Sequence, residues 1–197
     1  MHRLIRVLEA TDPELALHSN RTADLASHVA VEMDMAPEVV ERVGIAGRIH
    51  DIGKLFISRD ILDKPGAPTD REWVELRRHP RIGFDLIRSK VPTAVAKIVL
   101  THHERYDGTG YPNRIKGSEI PVEARVLQVA DAFDAITSRR PYQPALPVSY
   151  AVAELRRCAG TQFDPGAVEA IVALVHKRGR LHGTSVEDDA LKGEVAV

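Results

Sequence analysis

Apolar residues recur three and four positions apart along most of this chain, which is the spacing that puts side chains on one face of an α-helix. This pattern predicts helices over residues 13–35, 37–49, 121–138, 148–159 and 165–177. No pair of segments shows the alternation of apolar and polar residues that is typical of strands. We therefore expect an all-α fold.

Shorter helices are predicted from their start signals. Thr69 followed by Glu72 is a capping-box pattern and opens a helix that should turn Trp73 and Leu76 inward. Pro80 restarts a helix directly after His79. A further helix is expected from a cap at Thr93, and it should extend as far as residues 102–104.

Glycine and proline mark the boundaries. Gly53, Gly160 and Gly179 are plausible helix stops, and residues 58–68 and 107–118 are loops on composition. We interpret residues 1–179 as one domain, with a core at about 14–146, C-terminal helices at about 147–178 and a flexible tail at 180–197.

The charge balance and the cysteine count exclude several classes of protein. The net charge is −1, so nothing suggests binding to DNA or to a membrane surface. Cys158 is the only cysteine, which rules out an intramolecular disulfide and a thiolate-rich metal site. We found neither a signal-peptide core nor an apolar run long enough to span a bilayer. A cytoplasmic location is the expectation.

Histidines and carboxylates supply the candidate chemistry. Imidazole and carboxylate suit iron, manganese, zinc and related ions. The candidates are too many for one ion and about right for two or three ions that share a carboxylate and a solvent-derived hydroxide. Glu14 joins the set because it lies four residues before His18 on a predicted helix. The candidate ligands are Glu14, His18, His50, Asp51, His79, His102, His103 and Asp131.

A histidine on its own is more often a surface or core residue than a ligand, and that interpretation is kept for His2, His28, His176 and His182. What favours a metal site is the joint pattern. Each candidate histidine lies at a predicted helix end or on an apolar helix face, between glycine and proline signals.

Residues suited to phosphate lie nearby in the sequence. Lys54 follows Asp51 by three residues and would hold a substrate phosphate, although a solvated surface lysine is equally open. Arg139 and Arg140 offer guanidinium groups, of which at least one is expected to be merely solvated. In the glycine-rich loop 107–112, Gly110 would allow close backbone approach and Tyr111 would stack or hydrogen-bond, with a plain surface turn as the alternative.

Taken together, these motifs resemble the HD-GYP family of the HD phosphohydrolase superfamily, over about residues 14–172. The strings that show the resemblance are LALHSNR, IHDIGKLFISRDILDKPG, RRHPRIGFDLI, THHERYDGTGYPNRIKGSEIP, ARVLQVADAFDAITSRRPYQPAL and CAGTQFDPGAV.

This resemblance implies an all-helical phosphodiesterase that hydrolyses cyclic di-GMP to linear pGpG and onward to GMP in some members. By position, the eight candidate ligands match the family's metal ligands, with Asp51 as the bridging carboxylate and Glu14 typical of three-metal members. Iron or manganese is the implied metal. Lys54, Tyr111 and Arg140 match substrate-contacting positions, and Asp51 and Lys54 are the residues we assign to catalysis.

The sequence departs from the family at two positions: Gln143 replaces a usually basic residue, and Tyr106 stands where tryptophan is common. The resemblance also implies a sensor or receiver domain upstream, or a diguanylate cyclase domain as partner. The mechanism we hypothesise is in-line attack of a metal-bridging hydroxide on phosphorus. The alternatives are an HD phosphohydrolase acting on another cyclic dinucleotide or nucleotide, and a non-catalytic signalling module.

Overall fold

The computed structural model of the protein describes residues 2–139 and 145–181, and within them the fold is all-α. Ten α-helices and two 3₁₀ helices, Ile52–Phe56 and Gly117–Glu119, follow one another in this part of the chain. The α-helices are α1 (His2–Thr11), α2 (Pro13–Glu32), α3 (Pro37–Ile49), α4 (Arg59–Leu62), α5 (Asp70–Leu76), α6 (His79–Ile87), α7 (Thr93–Thr101), α8 (Val122–Thr137), α9 (Val148–Arg157) and α10 (Pro165–Leu181).

The start of α2 is set by local chemistry. Asp12 caps the helix, with its Oδ1 accepting a hydrogen bond from the backbone N–H of Leu15 at 3.0 Å, and Pro13 occupies the first turn. The capping box predicted at α5 is also present, because Thr69 and Glu72 each accept a hydrogen bond from the other's backbone N–H.

Helix α2 lies at the centre of the molecule and packs against α3, α8 and α10. The contact with α3 is close because small residues meet there: a Cβ added to Gly47 would lie 2.6 Å from Cα of Ala23. The 3₁₀ helix after α3 packs against α6, where a Cβ on Gly53 would come within 2.0 Å of the carbonyl oxygen of His79. These two close approaches place the C-terminal part of α3 against the middle of α2 and the following 3₁₀ helix against the start of α6.

Several helix boundaries differ from the prediction. The helix from Thr93 begins after a cap at Pro92 and ends at Thr101, so residues 102–104 follow it rather than extend it. Gly53 does not stop α3, which ends at Ile49, and α10 continues through Gly179 to Leu181. The predicted tail is therefore helical at residues 180 and 181, and the rest of that prediction lies outside the described residues.

Three elements were misjudged more substantially. Residues 58–68, predicted to be a loop, contain the short helix α4, which is capped by the side chain of Ser58. Helix α1 was missed, although Leu4, Ile5 and Leu8 have helical spacing and Leu8 is buried. Trp73, predicted to turn inward, is 42% exposed, because α5 is a short helix with no buried residue. Across the described helices, none is long and apolar enough to cross a membrane.

Candidate metal centre

Most of the candidate ligands lie where helices begin or end. His50 caps the C-terminus of α3 and Asp51 follows it; His79 is the first residue of α6; His102 caps the C-terminus of α7 and His103 follows it. His18 and Asp131 instead project from within α2 and α8. Backbone turns at the helix ends therefore bring residues distant in the sequence to one place.

The two carboxylate oxygens of Asp51 face two different sets of imidazoles. Oδ1 lies 3.2 Å from Nε2 of His79 and 3.9 Å from Nε2 of His102. Oδ2 lies 3.3 Å from Nε2 of His50 and 3.9 Å from Nε2 of His18. Asp51 thus stands between two groups, each with ligand atoms within 4.8 Å of one another: Asp51, His79, His102 and His103 in one, and His18, His50 and Asp51 in the other.

Asp131 lies beside the second group. Its Oδ1 is 3.0 Å from Nε2 of His18 and 3.8 Å from Nε2 of His50. Seven of the eight candidate ligands therefore come together. Glu14 is exposed and belongs to neither group, so a role for it as a third-metal ligand stays a prediction.

The imidazole rings are oriented by hydrogen bonds on their outer nitrogen. Nδ1 of His50, His79 and His102 each lies 2.7 Å from the carbonyl oxygen three residues earlier. Because a carbonyl only accepts, Nδ1 donates and the lone pair of Nε2 faces the centre. This is the arrangement expected of histidines that bind metal.

His18 is held differently, by a carboxylate that the sequence analysis did not single out. Nδ1 of His18 lies 2.7 Å from Oδ2 of Asp134. Arg21 donates to both oxygens of that carboxylate at 2.7 and 3.0 Å, and Ser138 donates to Oδ1 at 3.0 Å. Asp134 is therefore ordered by three hydrogen bonds from two side chains, Arg21 and Ser138, and itself positions the ring of His18.

Two buried atoms at the centre show that this arrangement fits metal ions. Nε2 of His50 and Oδ1 of Asp51 have no hydrogen-bond partner among the described residues. Leaving buried polar atoms unsatisfied is costly, and such atoms call for an explanation. A set of imidazole nitrogens and carboxylate oxygens without thiolate suits divalent ions such as iron, manganese and zinc.

Burial and charge also favour the protonation states that bind metal. Burial, aided by the neighbouring His79, lowers the pKa of His103 to about 3 and brings the pKa of His102 well below its usual range. Burial would raise the pKa of Asp51, but the nearby Lys54 and His50 outweigh it and hold that pKa well below its ordinary value. His18 is the exception: although burial opposes it, hydrogen bonds to Asp131 and Asp134 raise its pKa to about 9.

The predicted substrate residues border this centre. Nζ of Lys54 lies 2.6 Å from Oδ2 of Asp51 and is partly exposed. The ring of Tyr111 stacks on that of His103, with centroids 5.0 Å apart and an interplanar angle of 27°. Arg140, together with Gln143, lies outside the described residues.

The loop that carries Tyr111 is held in place by contacts with Glu104 and the backbone around it. Glu104 is buried, and its Oε1 accepts a hydrogen bond from the backbone N–H of Asn113 at 2.6 Å. A Cβ on Gly110 would lie 2.2 Å from the backbone nitrogen of Arg105, so only glycine fits where the loop crosses the backbone of residues 103–105. The peptide bond between Tyr111 and Pro112 is cis.

Comparison with known proteins agrees with this geometry. The profile of the HD domain family matches residues 3–167, and the chain belongs to that family. An HDG"Y"P protein of Bdellovibrio bacteriovorus has the same fold, with a TM-score of 0.69 and 18% identity over 84% of this chain and 53% of its own.

Three curated relatives are closer in sequence. The cyclic di-GMP phosphodiesterase response regulator RpfG of Xanthomonas campestris is 39% identical over 87% of this chain and 46% of its own length. A cyclic di-GMP phosphodiesterase of Thermotoga maritima is 41% identical over 84% and 46%. A 3'3'-cGAMP-specific phosphodiesterase of Vibrio cholerae is 33% identical over 87% and 34%. The chain thus spans half or less of the length of these relatives, and the HD-GYP resemblance drawn from the sequence is confirmed.

Proposed function

We propose that this chain is a metal-dependent phosphodiesterase that hydrolyses cyclic di-GMP to linear pGpG and onward to GMP. The observation that carries the proposal is the position of Asp51, whose two oxygens face two separate sets of imidazoles. A carboxylate placed in this way suits a pair of bridged ions, as found in many enzymes that hydrolyse phosphate esters. The relatives with cyclic dinucleotide substrates favour the same reaction.

His18, His50, Asp51 and Asp131 would hold one ion, and Asp51, His79, His102 and His103 the other. Bound divalent ions supply Lewis-acid polarisation of a phosphoryl oxygen and lower the pKa of water. We propose iron or manganese as the metal, with a third ion at Glu14 only if its side chain turns toward the centre.

The chain's own residues have separable roles in this proposal. Lys54, a cation beside Asp51, is placed to pair with a phosphate oxygen and to offset the charge that develops during hydrolysis. Tyr111 covers His103 and limits access of water on that side. Water adds across one P–O3′ bond, and the product is a linear dinucleotide with a 5′ phosphate.

The relative that is specific for 3'3'-cGAMP supports a second candidate substrate, the mixed cyclic dinucleotide. Because the chain spans only part of its relatives, a sensor or receiver domain elsewhere in the protein and a diguanylate cyclase partner stay proposals, as does a cytoplasmic location.

Turnover of cyclic di-GMP, the mixed cyclic dinucleotide, cyclic di-AMP and mononucleotides by protein loaded with iron or manganese would test the proposal. We expect release of pGpG, and loss of both metal and turnover in Asp51→Asn. His28→Ala is a matched control, because His28 lies exposed on α2 with its ring bonded only to its own helix. A metal-loaded protein that cleaves none of these cyclic dinucleotides contradicts the proposal.

A further inference from the structure

The outer face of α5 exposes an aromatic residue close to the metal centre. Trp73 is 42% exposed and the neighbouring Val74 is 64% exposed. An exposed tryptophan in a helix that buries nothing is not explained by core packing. The residues around Trp73 therefore bear on whether its side chain has a role in binding a ligand.

Arg77, one turn further along the chain, lies between two aromatic rings. Its Cζ is 5.6 Å from the ring centroid of Trp73 and 5.6 Å from that of Tyr111, within the range of cation–π contacts. Among the described residues Arg77 forms no ion pair, whereas the adjacent Arg78 pairs with Glu75. The guanidinium is thus held by aromatic rings, while its N–H donors have no carboxylate partner.

These side chains connect the surface to the metal centre. Arg77 contacts Tyr111, Tyr111 stacks on His103, and His103 belongs to the metal group that includes Asp51. A ligand with one phosphate at the metals could therefore extend along Tyr111 and Arg77 to Trp73.

We propose that Trp73 and Arg77 form a guanine-binding subsite for the substrate's base next to the scissile phosphate, an inference that rests on the proposed phosphodiesterase function. The indole supplies a face on which a base can stack. The guanidinium fork supplies two parallel donors, which match the O6 and N7 acceptors of guanine.

The same chemistry selects against adenine, because adenine presents an amino donor where guanine presents O6. The aromatic ring favours a base over a phosphate as the ligand here, because a phosphate has no flat face to stack on the indole, and Lys54 already supplies a cation for a phosphate beside Asp51. An exposed aromatic ring next to an arginine that has no ion-pair partner among the described residues is what a planar base with acceptors on its edge requires.

The subsite can be tested directly because Trp73 is the only tryptophan. In titrations of the metal-loaded protein, we expect GMP to quench the tryptophan fluorescence and to bind about tenfold or more tightly than AMP, the discrimination typical of a bidentate arginine–guanine contact. Arg77→Ala and Arg77→Lys should both abolish the difference, since lysine has the charge but not the fork. Arg78→Ala is the matched control and should retain it.

In kinetics with cyclic di-GMP, Arg77→Ala should raise KM by about tenfold or more and leave kcat within about threefold. Equal affinity for GMP and AMP, equal losses for both nucleotides in Arg77→Ala, or restored GMP binding in Arg77→Lys would each overturn the inference. The proposed function fails separately, if the wild-type protein binds GMP selectively but cleaves no cyclic dinucleotide.

Discussion

The carboxylate of Asp134 lies 2.7 Å from Nδ1 of His18 and joins α8 to α2 behind the candidate metal centre. The three other oriented histidines use a backbone carbonyl at this position. His18 is therefore the ligand whose basicity and orientation depend on another side chain, and the two helices meet through that contact.

We expect Asp134→Asn to weaken metal binding at the His18 side by about 10- to 100-fold, the usual effect of removing a carboxylate that orients a histidine ligand. Competition with a chelator would measure the affinity, and circular dichroism would verify the helical content. Asp24→Asn removes an exposed carboxylate from α2, the helix that carries His18, and should leave the affinity unchanged. Equal affinities in Asp134→Asn and the wild type would show that the contact does not tune the metal.

In metal-free protein we expect the free energy of unfolding to peak near pH 6.5. The pKa of His18 is about 9 in the folded chain and 6.5 ordinarily, so its contribution is fully present below pH 6.5 and is lost as the pH rises through 9. The pKa of His103 is about 3 in the folded chain, so below pH 6.5 its ring takes up a proton in the unfolded chain but not in the folded one. Its contribution to the free energy of unfolding is therefore present above pH 6.5 and is lost as the pH falls toward 3.

Urea unfolding at pH 5, 6.5 and 9 in the presence of a chelator would measure this dependence. Metal-loaded protein is the control, since a bound ion excludes the proton from His18 and should remove the decline between pH 6.5 and 9. A metal-free stability that rises steadily to pH 9 is incompatible with the raised pKa.

Replacing Lys54 should separate turnover from metal binding. Lys54→Ala removes a cation that contacts Asp51 without removing any candidate ligand, so we expect the metal content to persist. We expect kcat to fall by about 100- to 1,000-fold, the range for losing a group that stabilises developing charge. Elemental analysis together with steady-state kinetics would measure both. Lys97→Ala is a control on an exposed lysine of α7, and loss of the metal in Lys54→Ala would refute the assignment.

The buried Glu104 should anchor the loop of Tyr111 through the hydrogen bond that its Oε1 accepts from the backbone N–H of Asn113, and burial raises the pKa of its carboxyl group. We expect Glu104→Ala to cost about 0.5–1.5 kcal/mol of stability, since the backbone N–H of Asn113 loses its partner. Glu104→Gln keeps an acceptor and should stay close to the wild type. Thermal unfolding and KM for cyclic di-GMP would compare the two variants; equal damage in both would indicate that the charge is required.

Seven candidate ligands that come together could be chosen from the sequence because they are histidines and aspartates, which suit divalent metals; five of them lie at helix ends, and His18 and Asp131 lie within α2 and α8. Asp134 and Arg21 were missed because a charged residue within a helix usually faces solvent. A signal did exist: His18 and Arg21 are three apart on one helix, as are Asp131 and Asp134 on another, so each pair shares a face. Which helix faces which is decided by tertiary packing, and the sequence alone does not state it.

Trp73 shows the opposite error. Its spacing from Leu76 indicated a buried face, but α5 is only seven residues long and has no buried residue. In so short a helix, packing of the neighbouring segments overrides periodicity. Glu14 lies four residues before His18 in α2, and its side chain is exposed and in neither ligand group, so its role as a third-metal ligand stays a prediction.

The hydrogen bonds from His50, His79 and His102 to carbonyl oxygens three residues earlier in the chain have a consequence for how the protein is handled. Each ring is held by a backbone carbonyl three residues earlier, so the direction of its Nε2 does not depend on an ion being present. Removal of the metal by a chelator should therefore leave these three histidine rings in the same orientation. Stripped protein should accept fresh ions on simple addition, without denaturation and renaturation, and different metals could be compared within a single preparation.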